Sequence, residues 1–318
     1  MTRKLALTAL AACALAHLLP LPAAASDGQL IAAGYSAPGP IEVAPGQVLT
    51  LFLRGIGRMP DGTARSGHAQ SVPLPDTLAG LSASIEQLPQ TTPFRLPIFS
   101  VRQHNECEDA SGQPKCLLTA LRVQIPTELT PVVAKLTVSS DGEASRTFLI
   151  RPVRDDAHVL TACDLTWDTN PGSACGRMAF HGDGTPVNEA RPARRGETIV
   201  IYAYGLGPTV PRVPTGTATP PRVELTEGVA RQLAVLFRPF RNASPSLPRY
   251  FEAEPLGTPG EVVFAGLTPG QVGLYQVNVR VPGEIEIPIL CGGETRSNVV
   301  AKVSSAHGIE NLPLCVEP

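Results

Sequence analysis

The chain has 318 residues, of which 29 are glycine and 33 are proline, while charged residues make up 17% and aromatic residues 5%. Proline removes a backbone donor and fixes φ, so this composition excludes a fold of long helices, and the lack of a three-residue glycine period excludes collagen. A hydrophobic content of 43% with a net charge of −2 excludes wholesale disorder and argues against a nucleic-acid partner.

Residues 1–25 have the layout of a secretory signal peptide. Two basic residues precede an apolar run over 5–19, and three alanines at 23–25 offer a small-residue cleavage site. A lipoprotein signal that ends at Cys13 is the alternative, but the apolar run continues past this cysteine, which favours ordinary cleavage. We therefore expect a secreted, periplasmic or cell-surface protein. No later segment reaches the ~20 apolar residues of a membrane-spanning helix, so no transmembrane segment is predicted.

Two stretches of the chain, 44–57 and 194–207, resemble each other. Their glycines match at a constant separation of 150 positions, with Gly46, Gly55 and Gly57 corresponding to Gly196, Gly205 and Gly207. The apolar, β-branched and aromatic residues between the glycines predict a strand. The first glycine suits a turn, and the closing Gly-x-Gly suits a bulge or a tight exit from the strand.

Two further matches support a duplication. Residues 118–126 parallel 274–282, and both stretches alternate apolar with polar residues before they end at a proline, as half-buried strands do. Residues 139–143 parallel 290–294, and both are predicted to be hairpin turns. We therefore predict an all-β protein with two tandem immunoglobulin-like β-sandwich domains from an internal duplication, each of about seven short strands.

The predicted domains follow from these matches. After the signal peptide we expect a first sandwich at 27–155, a disulfide-stapled connector at 156–189 and a second sandwich at 190–318. Within the second sandwich, the proline-rich segment 208–224 is predicted to be an extended surface loop. Because loops on a rigid sandwich often carry function, this segment is also a predicted contact surface.

Cleavage of the signal peptide leaves six cysteines, an even number in an oxidising compartment. Their clustering favours sequential pairing, which joins Cys107 to Cys116, Cys163 to Cys175, and Cys291 to Cys315. No two of them stand in C-x₂₋₄-C spacing, which argues against zinc. Full pairing also leaves no thiol to act as a nucleophile.

Three stretches of the second copy, 190–197, 202–208 and 264–279, carry a pattern that resembles a known family. They look like the signature of the Solibacter-type C-terminal domain, which is found at the ends of many large secreted bacterial proteins. The match is strong over 190–318 and weaker over 27–155. The resemblance implies an immunoglobulin-like or IPT-like β-sandwich in an exported protein, with no established activity and no catalytic residue to transfer.

The remaining chemistry-bearing residues do not form a catalytic pattern. Ser36 stands two residues after Gly34, as in a nucleophile elbow, but Pro38 replaces the last glycine of that motif and no helix can follow. Asp155, Asp156 and His158 are predicted to form a polar cluster at the joint of the two domains. The scattered histidines lack H-E-x-x-H spacing, and we expect them at the surface or in turns: His68, His104, His158, His181 and His307. The protein is therefore predicted to be no enzyme and to use no cofactor.

Four candidate binding residues lie in or beside the loop that the second predicted disulfide closes: Asp164, Trp167, Asp168 and Asn170. Carboxylate and amide oxygens are calcium ligands, and a tryptophan face can stack on a sugar. However, the EF-hand glycine and terminal glutamate are absent, and the aromatic content is low. A structural turn, with the tryptophan packed on the disulfide, is therefore the favoured interpretation.

These observations predict a secreted, non-catalytic module for adhesion, recognition or cell-surface scaffolding. Its partner would be an extracellular or envelope protein or a glycan. The alternative is a carbohydrate- or calcium-dependent binding protein with its site near the Cys163–Cys175 loop.

Overall fold

The computed structural model describes residues 29–33, 41–89, 92–107, 113–166, 175–243 and 257–318. The predicted signal peptide and Cys13 lie outside these ranges. Regular structure within them is almost entirely strand, with two short helices, α1 (Ala162–Thr166) and α2 (Glu227–Ala230), and one 3₁₀ turn at Pro114–Cys116. None of these described helices is long and apolar enough to cross a membrane.

The N-terminal half forms two facing sheets from eleven strands. These are β1 (Gln29–Ala33), β2 (Ile41–Val43), β3 (Val48–Arg54), β4 (Ser66–His68), β5 (Thr77–Leu78), β6 (Leu81–Glu86), β7 (Phe94–Arg95), β8 (Ile98–Asn105), β9 (Leu117–Gln124), β10 (Ala134–Ser140) and β11 (Glu143–Pro152). Sheet A has the order β1-β3-β9-β8-β4, and sheet B has the order β2-β11-β10-β6-β5, with β7 also paired to β6. All pairs are antiparallel except β2 with β11.

The C-terminal half repeats this arrangement. Its strands are β12 (His158–Val159), β13 (Thr198–Tyr204), β14 (Thr209–Val210), β15 (Val223–Leu225), β16 (Ala234–Pro239), β17 (Thr258–Pro259), β18 (Glu261–Leu267), β19 (Tyr275–Arg280), β20 (Val299–Ser304) and β21 (Ile309–Leu314). Sheet C has the order β12-β13-β19-β18-β15-β14, and sheet D has the order β17-β16-β20-β21.

Each half has its own hydrophobic core between its two sheets. Leu51 and Leu121 of sheet A meet Ile85 of sheet B in the first core, and Ile201 of sheet C meets Phe237 of sheet D in the second. Alternate strand residues point to one face, so the apolar residues of each strand line one core. Burying each such side chain contributes about 1.5–3 kcal/mol relative to leaving it exposed. The prediction of two tandem immunoglobulin-like sandwiches is confirmed.

The duplication is visible in the strand register. In sheet A, Val48 of β3 lies opposite Gln124 of β9, and in sheet C, Thr198 of β13 lies opposite Arg280 of β19. The sequence matches predict this correspondence, because Thr198 lies 150 positions after Val48 and Arg280 lies 156 positions after Gln124. Register is set by every side chain along a strand, so this agreement supports a common origin for the two halves.

A bulge recurs at the matching place in both sandwiches. It interrupts the register between Ile98 and Ser100 of β8, and between Val262 and Phe264 of β18. The first bulge lies where β8 pairs with β9, and the second lies where β18 pairs with β19, the strand that corresponds to β9. A bulge is a specific local distortion rather than a property of any sandwich, so its recurrence also indicates duplication.

The matched glycines behave alike at the strand start and differ only at the last of the three positions. Gly46 and Gly196 both adopt left-handed backbone, with φ of +77° and +76°. The first glycine after the strand is also left-handed in both copies, at positions 55 and 205, with φ of +87° and +73°. At the second exit glycine, Gly207 has a φ of +102°, whereas Gly57 does not adopt left-handed backbone. The predicted turn and tight exit are therefore common to both copies, and only the last glycine differs.

The third sequence match is wrong. Residues 139–143 do form the hairpin turn between β10 and β11, as predicted. In the second sandwich the corresponding hairpin is β20–β21, which turns at 305–308, whereas 290–294 precede β20 and contain a single bridge from Gly292 to Thr295. A shared Gly-Glu pair in a turn carries little register information, which is why this match misled.

Residues of the predicted connector contact the second core. Ala157, Val159 and Ala179 are buried in it, and Phe180 bridges to Val200 of β13. The boundaries at 156 and 189 stay a prediction.

All three cysteine pairs are bonded in the predicted order. The Cα atoms of Cys107 and Cys116 are 5.2 Å apart, and those of the other two pairs are 5.6 and 5.9 Å apart. These distances fall within the usual range for disulfides.

Candidate functional site at the joint of the two sandwiches

The outer faces of sheets A and C meet at the joint of the two sandwiches. All eight residues of β9 are buried, although successive residues point to opposite faces of the sheet. One face lines the first core. On the other side, Val48 and Phe99 of the first sandwich pack with Leu160, Tyr204 and Leu274 of the second. Strand β9 is therefore covered on both faces, as in an inner layer of a larger stack.

Arg122 of β9 crosses this joint. Its guanidinium donates to the Tyr204 hydroxyl at 2.7 Å and to the Asp164 carbonyl oxygen at 3.4 Å. It also lies over the rings of Phe99 and Tyr204, at 6.0 and 5.5 Å from their centroids. Burial raises the pKa of Tyr204, so its hydroxyl stays protonated near neutral pH. The arginine is 7% exposed, so its charge is held by these partners rather than by bulk water.

A second polar link joins Gln47 to Asp156. The Gln47 amide nitrogen donates to the Asp156 carbonyl oxygen at 3.0 Å and to its carboxylate at 2.9 Å. The amide oxygen of Gln47 accepts from the Ala44 backbone nitrogen at 2.8 Å. Because both ends of the amide are used, Gln47 has one orientation and fixes the joint at this point.

The proline-rich segment 208–224 also belongs to the joint. The Gly216 backbone nitrogen donates to Gln124 at 2.6 Å, and the Gly216 carbonyl oxygen accepts from the Leu74 nitrogen at 2.9 Å. Thr215 donates to Glu128 at 2.6 Å. The predicted contact surface therefore contacts the first sandwich. A cavity beside it measures about 30 Å³, room for a water molecule.

Asp164, one of the four candidate binding residues, lies at the edge of the joint in α1. Its carboxylate accepts from His158 at 3.1 Å and from the Thr161 nitrogen and hydroxyl at 2.8 and 2.7 Å. Burial opposes ionisation, yet the His158 hydrogen bond and charge, helped by Thr161, lower the pKa of Asp164 to about 2. The carboxylate is therefore held by protein donors.

Glu310 of β21 extends this network to the other sheet. Arg177 forms a short ion pair with Glu310 and donates to the Asn311 carbonyl oxygen at 3.3 Å. His158 lies 3.9 Å from the same Glu310 carboxylate. The Cys163–Cys175 disulfide lies next to Asp164 and two residues before Arg177, so it holds both charged side chains near His158.

One histidine prediction is wrong, because His158 is buried in β12 rather than at the surface or in a turn. His181 is also buried, but it opens a turn, as predicted, and its carbonyl oxygen accepts from the Gly184 nitrogen at 2.9 Å. His181 contacts the Glu197 carboxylate at 2.6 Å and the Arg191 carbonyl oxygen at 3.2 Å. Their hydrogen-bond partners are spread along the chain, and spacing within the sequence gave no sign of them.

The structure places only part of the candidate site. Trp167, Asp168 and Asn170 lie outside the described residues. Among the residues that are described, no group of three or more histidine, cysteine, aspartate or glutamate side chains is arranged to hold a metal ion. Of the predicted cluster, Asp156 contacts Gln47 across the joint. The Asp155 carboxylate instead accepts from the His307 backbone nitrogen, and His158 contacts Asp164.

Sequence reasoning placed Asp156 at the joint but missed the other residues that join the two sandwiches directly, which are Gln47, Arg122 and Tyr204. Arg122 and Tyr204 are 82 positions apart, and Gln47 and Asp156 are 109 apart. The alternation in β9 predicts that Arg122 faces water, because nothing local indicates that a second sheet covers that face.

Comparison with known proteins gives no family. No family model and no curated protein matches the chain. The adhesin InvE of Yersinia pseudotuberculosis aligns over 92% of this chain and 59% of its own, at 12% identity and a TM-score of 0.20. Bovine butyrophilin aligns over 88% of this chain and 96% of its own, at 9% identity and a TM-score of 0.21. The BspA C-terminal domain of Streptococcus agalactiae aligns over 89% of this chain and 96% of its own, at 9% identity and a TM-score of 0.18.

The chain thus spans about three fifths of the Yersinia adhesin structure. At TM-scores near 0.2 these structures do not superpose on this chain as wholes. The immunoglobulin-like assignment accordingly rests on the sheet order and register described above.

Proposed function

We propose that this protein is an exported, non-catalytic module for adhesion, recognition or surface scaffolding, built as two sandwiches held in a fixed relation. The resemblance of residues 190–318 to the Solibacter-type C-terminal domain belongs to the same proposal. The observation that carries it is the burial of β9 on both faces, which makes the joint a continuation of the folded interior. A rigid pair of sandwiches can hold loops and sheet faces at a defined distance from a surface.

The use of the polar groups at the joint supports this proposal. The side chains of Arg122, Gln47 and Asp164 all form hydrogen bonds within the protein. Arg122 and Gln47 each link two distant segments, and Asp164 contacts His158, six residues away. A catalytic cluster needs a group that reaches a substrate. Those three side chains serve structure, and the disulfides suit the oxidising compartment that the signal peptide predicts.

The proposal is tested with the intact protein purified from the culture medium of its producing cells. Beads coated with it should retain envelope fragments of the producing cells or polymers from their surroundings. The matched control is the same protein after reduction and alkylation, which removes the three disulfides. Equal retention by both preparations contradicts the proposal, and so does substrate turnover by the intact protein in a hydrolase screen.

A further inference from the structure

A groove lies on the outer face of sheet A, beside the joint. The register places Ser66 opposite Arg102 and His68 opposite Ser100, so these four side chains share one face of the sheet. Val101, which lies between Ser100 and Arg102, points into the first core instead. The four side chains line a cavity of about 400 Å³.

The chemistry of this cavity favours an anion that also carries hydroxyl groups. None of the described residues that line it is acidic, and its polar groups stand in a lining that is otherwise apolar. Arg102 is exposed and has no ion-pair partner among the described residues, so its guanidinium is available for a bidentate contact with a carboxylate. Ser66 and Ser100 supply hydroxyls, and His68 supplies a ring nitrogen, which are suitable partners for sugar hydroxyls.

The position and size of the groove narrow the ligand further. Its volume lies within the range of roughly 300–1,000 Å³ that is typical of small-ligand sites, which suits one or two sugar units. Addition of a peptide strand to the edge of the sheet would rest on β4, which has three residues and offers few backbone hydrogen bonds.

We propose that this groove binds a carboxylate-bearing saccharide, with Arg102 holding the carboxylate and Ser66, His68 and Ser100 contacting the sugar hydroxyls. The inference deepens the recognition part of the proposed function and rests on it. Ser100 of the groove pairs with Arg122 on the neighbouring strand β9. Because Arg122 is fixed at the joint, the strand that carries Ser100 and Arg102 is held in place next to it.

The test is calorimetric titration of the intact protein with a galacturonic acid tetrasaccharide. The fully methyl-esterified tetrasaccharide keeps the hydroxyls and lacks the charges. We expect the acid to bind about tenfold or more tightly than the ester, and Arg102→Gln to remove this difference. Ser66→Ala should weaken binding of both saccharides by a smaller factor. Binding of the acid should also weaken as salt rises.

Arg95→Gln is the matched control. Arg95 is an exposed arginine of sheet B that pairs with Asp76 at 3.4 Å, so its loss removes the same charge away from the groove. Affinity for the tetrasaccharide should be unchanged in this variant. Both arginines are exposed, and thermal unfolding of each variant should match the parent, which separates loss of binding from loss of fold.

Several outcomes would overturn the inference. These are equal affinity for acid and ester, unchanged binding in Arg102→Gln, tighter binding of an acidic peptide than of the saccharide, or no binding of the acid at all. If Arg102→Gln leaves saccharide binding unchanged while beads coated with the intact protein still retain envelope material, the proposed function stands and this site alone is wrong.

Discussion

Strands β9 and β19 occupy the same place in the two sandwiches, yet their outer faces differ. Their inward residues correspond and are buried in both, as Leu121 and Val277 show. The outward residues of β9 are buried, whereas those of β19 are half-buried and end at the exposed Arg280. Duplication has therefore preserved the positions that build each core, and the two copies have diverged at the positions that face outward.

The outward positions thus carry what distinguishes the two halves. In the first sandwich, the outward residues of sheet A form one side of the joint and line the groove. Substitutions at equivalent positions of β9 and β19 measure the difference between the two outer faces, because the two residues of each pair have the same backbone conformation and register.

The largest effect is expected for a charge placed at Ala120. This residue is buried on the outer face, and Gln276 is its half-buried counterpart. Ala120→Asp should lower the free energy of unfolding by about 3 kcal/mol or more, because the carboxylate is buried without a partner. Gln276→Asp should change it by less than about 1 kcal/mol. Urea denaturation measures both, and similar losses in the two variants would mean that the outer faces do not differ.

Arg122 and Asn278 form the next pair. Arg122→Ala removes hydrogen bonds and ring contacts across the joint, and we expect it to cost about 2–3 kcal/mol. Asn278→Ala loses one hydrogen bond from Gln276 and should cost less than about 1 kcal/mol. Hydrogen exchange should rise in β9 and β13 together in the arginine variant. Unchanged exchange would show that Arg122 does not couple the sandwiches.

The polar network around Asp164 belongs to the second sandwich and predicts a pH dependence. The pKa of Asp164 falls from its ordinary 3.8 to about 2 on folding, so its ionised form stabilises the protein. This contribution, about 2 kcal/mol, is present in full above about pH 4 and is lost as the pH falls toward 2. Asp164→Asn should be destabilised by about that amount at pH 7.

Below about pH 4 the difference between the parent and Asp164→Asn should shrink. Urea denaturation of both proteins at pH 7, 4 and 2.5 measures this change. A constant difference across that range would show that ionisation of Asp164 contributes nothing. Asp183→Asn is the control, because its carboxylate is exposed and its partners Thr185 and Arg191 are also exposed, so solvent screens their pairing.

The same comparison explains which features of the structure the sequence could predict. Alternation around Leu121 and Val277 predicts half-buried strands, and this local pattern was enough for the sandwich and its duplication. The joint depends on which face of one sandwich meets the other, and the chain separation between Arg122 and Tyr204 leaves no local trace of that choice. A polar residue at an outward position predicts solvent, so the two-sided burial of β9 could be found only from the fold.

The smallest effects are expected at the strand exits. An added Cβ at Gly207 would lie 3.0 Å from the Arg154 carbonyl oxygen, and its φ of +102° is one that side chains rarely adopt. At Gly57 the backbone is not left-handed and nothing lies within 4 Å of an added Cβ. Gly207→Ala should therefore lower the free energy of unfolding by about 1–2 kcal/mol. Gly57→Ala should change it by less than about 0.5 kcal/mol, or raise it slightly by restricting the unfolded chain. Equal losses would show that both copies still require glycine at the exit, and the divergence of the copies would then begin beyond this turn.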